Sequence, residues 1–142
     1  MILWRRRYGQ LAPYLEIDNI MAEQKTTMVL GASDNPGRYA YMAINRLRKY
    51  GHPVIAIGKK TGRVADIDIT KDREQHSNVD TVTLYLNPTH QKMYYDYIVS
   101  LRPKRIIFNP GTENDELAVL AEQNGIKTME ACTLVMLGTG QY

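Results

Sequence analysis

TTMVLGASDNPGR, residues 26–38, is the stretch on which the fold of this chain turns. Thr27-Met28-Val29-Leu30 is a short strand-like run that stops abruptly at Gly31-Ala32-Ser33. Polar turn residues follow, then Pro36-Gly37-Arg38, and a helical pattern begins after them. Strand, tight loop and helix start, in that order, aim several backbone N–H groups and the positive end of a helix dipole at one point. A phosphate group is the natural guest there.

Outward from this loop the pattern alternates. The spacing predicts a helix over 37–50, because Ala40, Ala43, Ile44 and Leu47 fall at i, i+3, i+4 and i+7 and form one buried face. Gly51 suits a left-handed cap, and Pro53 follows it. A second strand, residues 53–57, is apolar throughout, as a strand covered on both faces must be. Gly58-Lys59-Lys60-Thr61-Gly62-Arg63 is a basic loop between glycines, and Asp66-Ile67-Asp68-Ile69 alternates briefly, as a minor strand or part of a crossover. Residues 70–78 are strongly polar and read as a solvated turn or short helix.

A third strand is expected over 79–86. Asn87-Pro88 is a helix start, with Asn as the cap and Pro in the first helical position, and this helix is expected to run to about residue 101, where Pro103 ends it. Strand four is 105–108, followed by Asn109-Pro110-Gly111. Thr112 with Asp115 resembles a capping box opening a helix to Asn124, and Gly125 stops it. Strand five is 126–130, and residues 132–137 form a last short helix or buried run.

Strands alternating with helices at this spacing require right-handed crossovers and a parallel sheet. The expected class is α/β: a Rossmann-like doubly wound sheet of five main strands in the order 3-2-1-4-5, with helices on both faces. Ligands of such sheets bind at the carboxyl ends of the strands where the order reverses. The expected order puts that crevice between strands one and four, flanked by Gly31-Ala32-Ser33 and Asn109-Pro110-Gly111.

Composition narrows the function. A net charge of +3 is too small and too scattered for a nucleic-acid binder, but it suits an anionic small molecule. No stretch has the continuous apolar run of a membrane span. Cys132 is the single cysteine, so an internal disulfide and a thiolate metal cluster are excluded, and a reducing cytoplasmic compartment is the simplest setting. His52, His76 and His90 share no metal-ligand spacing, and no metal site is expected. Residues 1–24 read as an extension outside the fold, with Met21 opening a stretch that looks like an ordinary protein start, and residues 25–142 as the folded domain. The rival reading of the first twenty residues is an amphipathic arm that docks on a protein partner through Trp4, Tyr8, Leu11 and Tyr14.

The dinucleotide fingerprint G-x-G-x-x-G, followed by an acidic residue after the second strand, is broken here. Ser33 stands where the second glycine belongs, and the second strand ends in Gly58-Lys59-Lys60 instead of a carboxylate. Two cations at that position suit a phosphorylated ribose, which leaves NADP with its 2′-phosphate and coenzyme A with its 3′-phosphate.

At this point a family resemblance emerges. Gly31-Ala32-Ser33, Asn35-Pro36-Gly37-Arg38-Tyr39-Ala40, Lys59-Lys60, Asn109-Pro110-Gly111-Thr112-Glu113-Asn114, Gly125-Ile126 and Glu130-Ala131-Cys132-Thr133 occur in one order and spacing. They resemble the small stand-alone coenzyme A-binding domains, which are similar to the nucleotide-binding domain of succinyl-CoA synthetase alpha chains. The resemblance covers roughly residues 26–137. It implies that Gly31, Ala32 and Ser33 let the backbone approach a pyrophosphate, with Pro36 and Tyr39 in the same loop and helix start. It implies that Arg38 meets a phosphate, that Lys59 and Lys60 meet the ribose phosphate, and that Asn109, Pro110 and Gly111 line the crevice. Many relatives have Asn-Pro before a lysine where this chain has Gly58-Lys59, which leaves open which lysine faces the ligand.

Catalytic machinery is not apparent. Ser33 has no histidine nearby in sequence, and Cys132 follows Glu130, which opposes a reactive thiolate. The phosphorylated histidine of the synthetases belongs to a second domain, and His90 is not in a context that replaces it. The expectation is a binding or regulatory module for CoA or acyl-CoA, with no catalytic residues. A small NADP-dependent oxidoreductase is the alternative, disfavoured because Tyr95 and Tyr97 are followed four residues later by Val99 and Leu101 instead of lysine. A ligand-free interaction scaffold is the third reading.

Overall fold

A computed structural model describes residues 24–142. The expected extension over residues 1–24 lies outside the described residues apart from Gln24. From Thr27 the chain forms strands β1 (Thr27–Leu30), β2 (Val54–Ile57), β3 (Gly62–Val64), β4 (Ile67–Thr70), β5 (Thr81–Leu84), β6 (Arg105–Phe108) and β7 (Lys127–Glu130). Helices are α1 (Tyr39–Lys49), α2 (Pro88–Gln91), α3 (Tyr95–Leu101), α4 (Asp115–Gln123) and α5 (Thr133–Gly138), and a 3-10 turn, Lys92–Tyr94, joins α2 to α3.

The sheet runs β3-β4-β2-β1-β5-β6-β7. Every neighbouring pair is parallel except the edge hairpin β3–β4. The doubly wound α/β class holds, and the strand order differs from 3-2-1-4-5 in one respect. The third expected strand does not lie outside β2; as β5 it sits between β1 and β6, and β4 takes the outer place. The reason is coverage. Thr81–Leu84 is buried at every position, which demands a central site with helices on both faces. Ile67–Thr70 buries only Ile69 fully and leaves Asp68 exposed, so its alternating pattern suits a place near the margin of the sheet, between β2 and the outermost β3. The reversal of strand order therefore lies between β1 and β5, not between β1 and the strand that ends at Phe108.

Alternate residues of the central strands feed two cores. Met28, Leu30, Val82, Leu84, Ile106 and Phe108 pack against Ile98 and Leu101 of α3 and Leu117 and Ala121 of α4. Val29, Ala56 and Ile107 face Ala40, Ile44 and Leu47 of α1 and Met136 and Leu137 of α5. The register is flush: Leu30 pairs with Ile57 and Leu84, Leu84 with Phe108, and Phe108 with Glu130. The loops after β1, β2, β5, β6 and β7 consequently leave the sheet along one edge.

Two helix boundaries differ from expectation. The helix expected over 87–101 is three pieces. Asn87 caps the first, its side chain accepting from the His90 N–H at 3.0 Å, and Arg102 in a left-handed conformation ends the last. The helix after β6 begins at Asp115, with Asn114 and not Thr112 as its cap; the Asn114 side chain accepts from the Leu117 N–H at 3.2 Å. Thr112 instead donates its hydroxyl to the Asn109 carbonyl at 2.8 Å.

Candidate functional site

β1 gives way to its loop at Gly31, whose φ of +91° suits glycine. A methyl group there would also stand 2.7 Å from the Tyr85 carbonyl oxygen, so the loop needs glycine for its conformation and for its close approach to β5. The N–H groups of Gly31 and Ala32 both donate to the Ile57 carbonyl, at 3.0 and 2.9 Å, which binds the loop to the end of β2. Beyond them Asn35 organises the turn. Its N–H donates to Ser33 Oγ at 3.1 Å, its Oδ1 accepts from the Gly37 N–H at 2.9 Å, and its carbonyl accepts from the Arg38 N–H at 3.0 Å.

This leaves a set of donors open. The N–H groups of Ser33 and Asp34 make no hydrogen bond among the described residues. At the start of α1 the capping position is Arg38, which supplies no side-chain cap, and the first-turn N–H groups of Tyr39, Ala40 and Tyr41 have no carbonyl behind them. By contrast α2 and α4 are closed by Asn87 and Asn114. α1 thus presents unsatisfied donors and its positive dipole end directly behind the Gly31 loop.

Cations surround these donors. Arg38, Lys59 and Lys60 are exposed, and none forms an ion pair among the described residues. The nearby Arg63 is committed to Asp68 at 2.6 Å. Gly58, which opens the lysine turn, is buried against the Gly31 loop, where an added methyl group would overlap the Ala32 carbonyl oxygen. The structure therefore brings Gly31, Ala32, Ser33, Pro36, Arg38, Tyr39, Lys59 and Lys60 into two adjoining loops on one edge. Pro36 and Tyr39 are exposed on it.

Asn109, Pro110 and Gly111 leave the same edge, two strands away from β1. The Asn109 side chain is buried and fully occupied. It donates to Thr83 Oγ1 at 2.7 Å and to the Leu84 carbonyl at 2.9 Å, and its Oδ1 accepts from the Thr133 N–H at 2.9 Å. It ties β5, β6 and α5 together. Pro110 and Gly111 are exposed, and the Gly111 N–H donates to Glu113 Oε1 at 2.9 Å.

Tyr85 carries no functional signal in the sequence, because a tyrosine at a strand end reads as packing. It occupies the switch point beside Gly31. Its hydroxyl is buried without a hydrogen-bond partner among the described residues, and burial pushes the phenol up to about 12. Gly58 and Gly62 lie outside the expected site residues, and the signal for them is glycine on either side of two lysines.

Among the described residues no group of three or more His, Cys, Asp or Glu could hold a metal ion, and no helix is long and apolar enough to cross a membrane. A depression of about 620 Å³, lined by Ser100, Arg102, Pro103, Asn124 and Gly125, lies where β6 and β7 begin, at the far end of the sheet from these loops.

Comparison with known proteins gives a family and a set of folds. The family described as CoA binding domain matches residues 25–138. The crystal structure of an uncharacterized protein is similar at 50% identity, with a TM-score of 0.82 over 84% of this chain and 98% of that one. A protein from Thermus thermophilus is similar at 19% identity, with a TM-score of 0.75 over 90% of this chain and 98% of that one. A hypothetical protein from Pyrococcus horikoshii OT3 gives 19% identity and a TM-score of 0.75, over 96% and 98% of the two chains. The last two likenesses bear on the fold alone. A search of curated proteins gives no match.

Proposed function

The chain belongs to the CoA-binding domain family, and from that premise we propose that the paired loops 31–39 and 58–60 hold coenzyme A or an acyl-CoA, as a binding or regulatory module without catalysis. The observation that carries this reading is the uncapped start of α1. Among the described residues five open N–H groups, of Ser33, Asp34, Tyr39, Ala40 and Tyr41, stand beside Arg38, Lys59 and Lys60, cations that form no ion pair there.

A pyrophosphate answers the open donors. Gly31 and Ala32 keep side chains out of its way, and the Ser33 hydroxyl, whose oxygen already accepts from Asn35, remains able to donate. Arg38 adds a fixed charge at the helix start. Lys59 and Lys60 take the ribose 3′-phosphate, and a charged hydrogen bond of this kind contributes about 1.5–3 kcal/mol. Pro36 and Tyr39 flank the phosphates. Pro110 and Gly111 line the far side of the crevice, and Asn109 holds them there through its buried ties. The same lysines would accommodate the 2′-phosphate of NADP, so that ligand belongs in the test.

Calorimetry with CoA, dephospho-CoA, NAD and NADP decides. Binding of CoA well above dephospho-CoA is expected, and Lys59→Ala or Lys60→Ala should weaken CoA about tenfold or more while leaving dephospho-CoA nearly unchanged. Binding of NADP alone overturns the reading. Equal weakening of CoA and dephospho-CoA by the lysine variants removes the 3′-phosphate assignment.

A further inference from the structure

Two glycines bracket the lysine turn, and neither has a positive φ. Their backbone would accept alanine; their surroundings do not. At Gly58 the obstacle is the Ala32 carbonyl oxygen. At Gly62 it is a side chain: an added methyl group would stand 2.6 Å from Asp34 Oδ2 and 2.9 Å from its Cγ. The turn 58–62 therefore leans on the Gly31 loop at both ends, and Lys59, Lys60 and Thr61 between these two points are exposed. Asp34 makes no side-chain hydrogen bond or ion pair among the described residues, so shape alone seats it on Gly62.

The far end of the turn lies at the margin of the sheet, where Gly62 pairs with Ile69 in the β3–β4 hairpin. Gly62 opens β3, which among the described residues is an outermost strand with β4 as its one neighbour. A ligand carrying two anionic groups needs both loops at a preset spacing, because a charged hydrogen bond tolerates little stretch and an unanchored turn must be ordered on binding. We propose that Asp34 and Gly62 form a positioning contact that holds the lysine turn against the Gly31 loop and so sets the preference for ligands that carry a ribose phosphate as well as a pyrophosphate. The inference rests on the CoA reading of these loops.

The contact can be exchanged in volume. Gly62→Ala overfills it, Asp34→Ala empties it, and the double variant moves the bulk from one loop to the other. Asp34→Asn keeps the shape and removes the charge. Dissociation constants for CoA and dephospho-CoA, with the melting temperature of each variant, are the readout. The natural chain should favour CoA about tenfold or more. Gly62→Ala and Asp34→Ala should each lower that ratio to roughly threefold or less, with Tm within roughly 3 °C of the natural chain. The double variant should regain most of the ratio, and Asp34→Asn should keep it. A ratio that survives both single alanine variants overturns the inference and leaves the CoA reading standing. So does a double variant no better than the singles, or an Asp34→Asn variant as impaired as Asp34→Ala. A natural chain with no preference for CoA over dephospho-CoA removes the lysine assignment itself, and this inference with it.

Discussion

The phenol of Tyr85 is the one buried side-chain polar group without a hydrogen bond among the described residues. Its hydroxyl is buried beside the Thr83 and Thr133 hydroxyls without a hydrogen bond of good geometry among the described residues, and burial holds its pKa at about 12 against the ordinary 10.0. The sign of the consequence is fixed by which state ionises first. Between about pH 10 and pH 12 the unfolded chain releases this proton while the folded chain keeps it, so the group costs no pH-dependent stability below pH 10 and lowers stability as pH rises towards 12. Absorbance of tyrosinate followed beside circular dichroism should show part of the tyrosine signal rising only with unfolding in that window. Tyr85→Phe removes the orphaned hydroxyl and should leave stability unchanged or raise it by up to about 1 kcal/mol. A loss larger than that in a denaturant titration would show that the hydroxyl has a partner. Gly31 is legible from sequence as a tight-turn glycine. Tyr85 and the Asp34–Gly62 contact are not, because local pattern does not state which side chain arrives from another strand or loop.

At the scale of elements, the helix starts divide by chemistry. α2 and α4 carry asparagine caps, whereas α1 begins at Arg38 with its first-turn donors open. A cap left out where two other helices have one costs stability, and the proposed ligand is what would answer those donors. Asn114→Ala should therefore cost about 1–2 kcal/mol of unfolding free energy, since it deletes a working cap together with the amide's hydrogen bonds to Gln91 and Tyr95. Denaturant titration checks this; no change would mean that Asp115 and Glu116 support the helix start by themselves. The Asn87-Pro88 start was readable because cap and proline are adjacent in the chain. The α4 start is not legible in the same way: Thr112 has a cap-like spacing to Asp115, yet its hydroxyl is taken by the Asn109 carbonyl in the loop before the helix.

Over the whole molecule, the two ends of the sheet do different work. The loops that leave the strand ends carry the open donors and free cations. The opposite end is closed by Tyr142, whose ring is buried with the Arg105 guanidinium 4.5 Å from its centroid and His52 at 4.9 Å. The Tyr142 hydroxyl bonds Thr27, and its carbonyl accepts from Lys25 Nζ at 3.0 Å and Arg105 Nη2 at 2.8 Å. Tyr142→Ala should cost about 3 kcal/mol, as removal of a buried aromatic does. It should leave CoA affinity within about twofold, because the ring and its partners lie at the far end of the sheet from the loops, and distant sites act independently. A large fall in affinity measured below the melting transition would show that the two ends are coupled. By itself the sequence determined the α/β alternation, both covered faces of the central strands, the glycine loop after β1 and the cationic turn after β2, because these depend on neighbours in the chain. Only the tertiary structure decided that Thr81–Leu84 sits beside β1 and Ile67–Thr70 at the periphery, that Asn109 is a tie between strands, and that Asp34 rests on Gly62. Strand order is settled by which faces the helices cover, and close approaches by which loops meet, and both are sums over residues far apart in the chain.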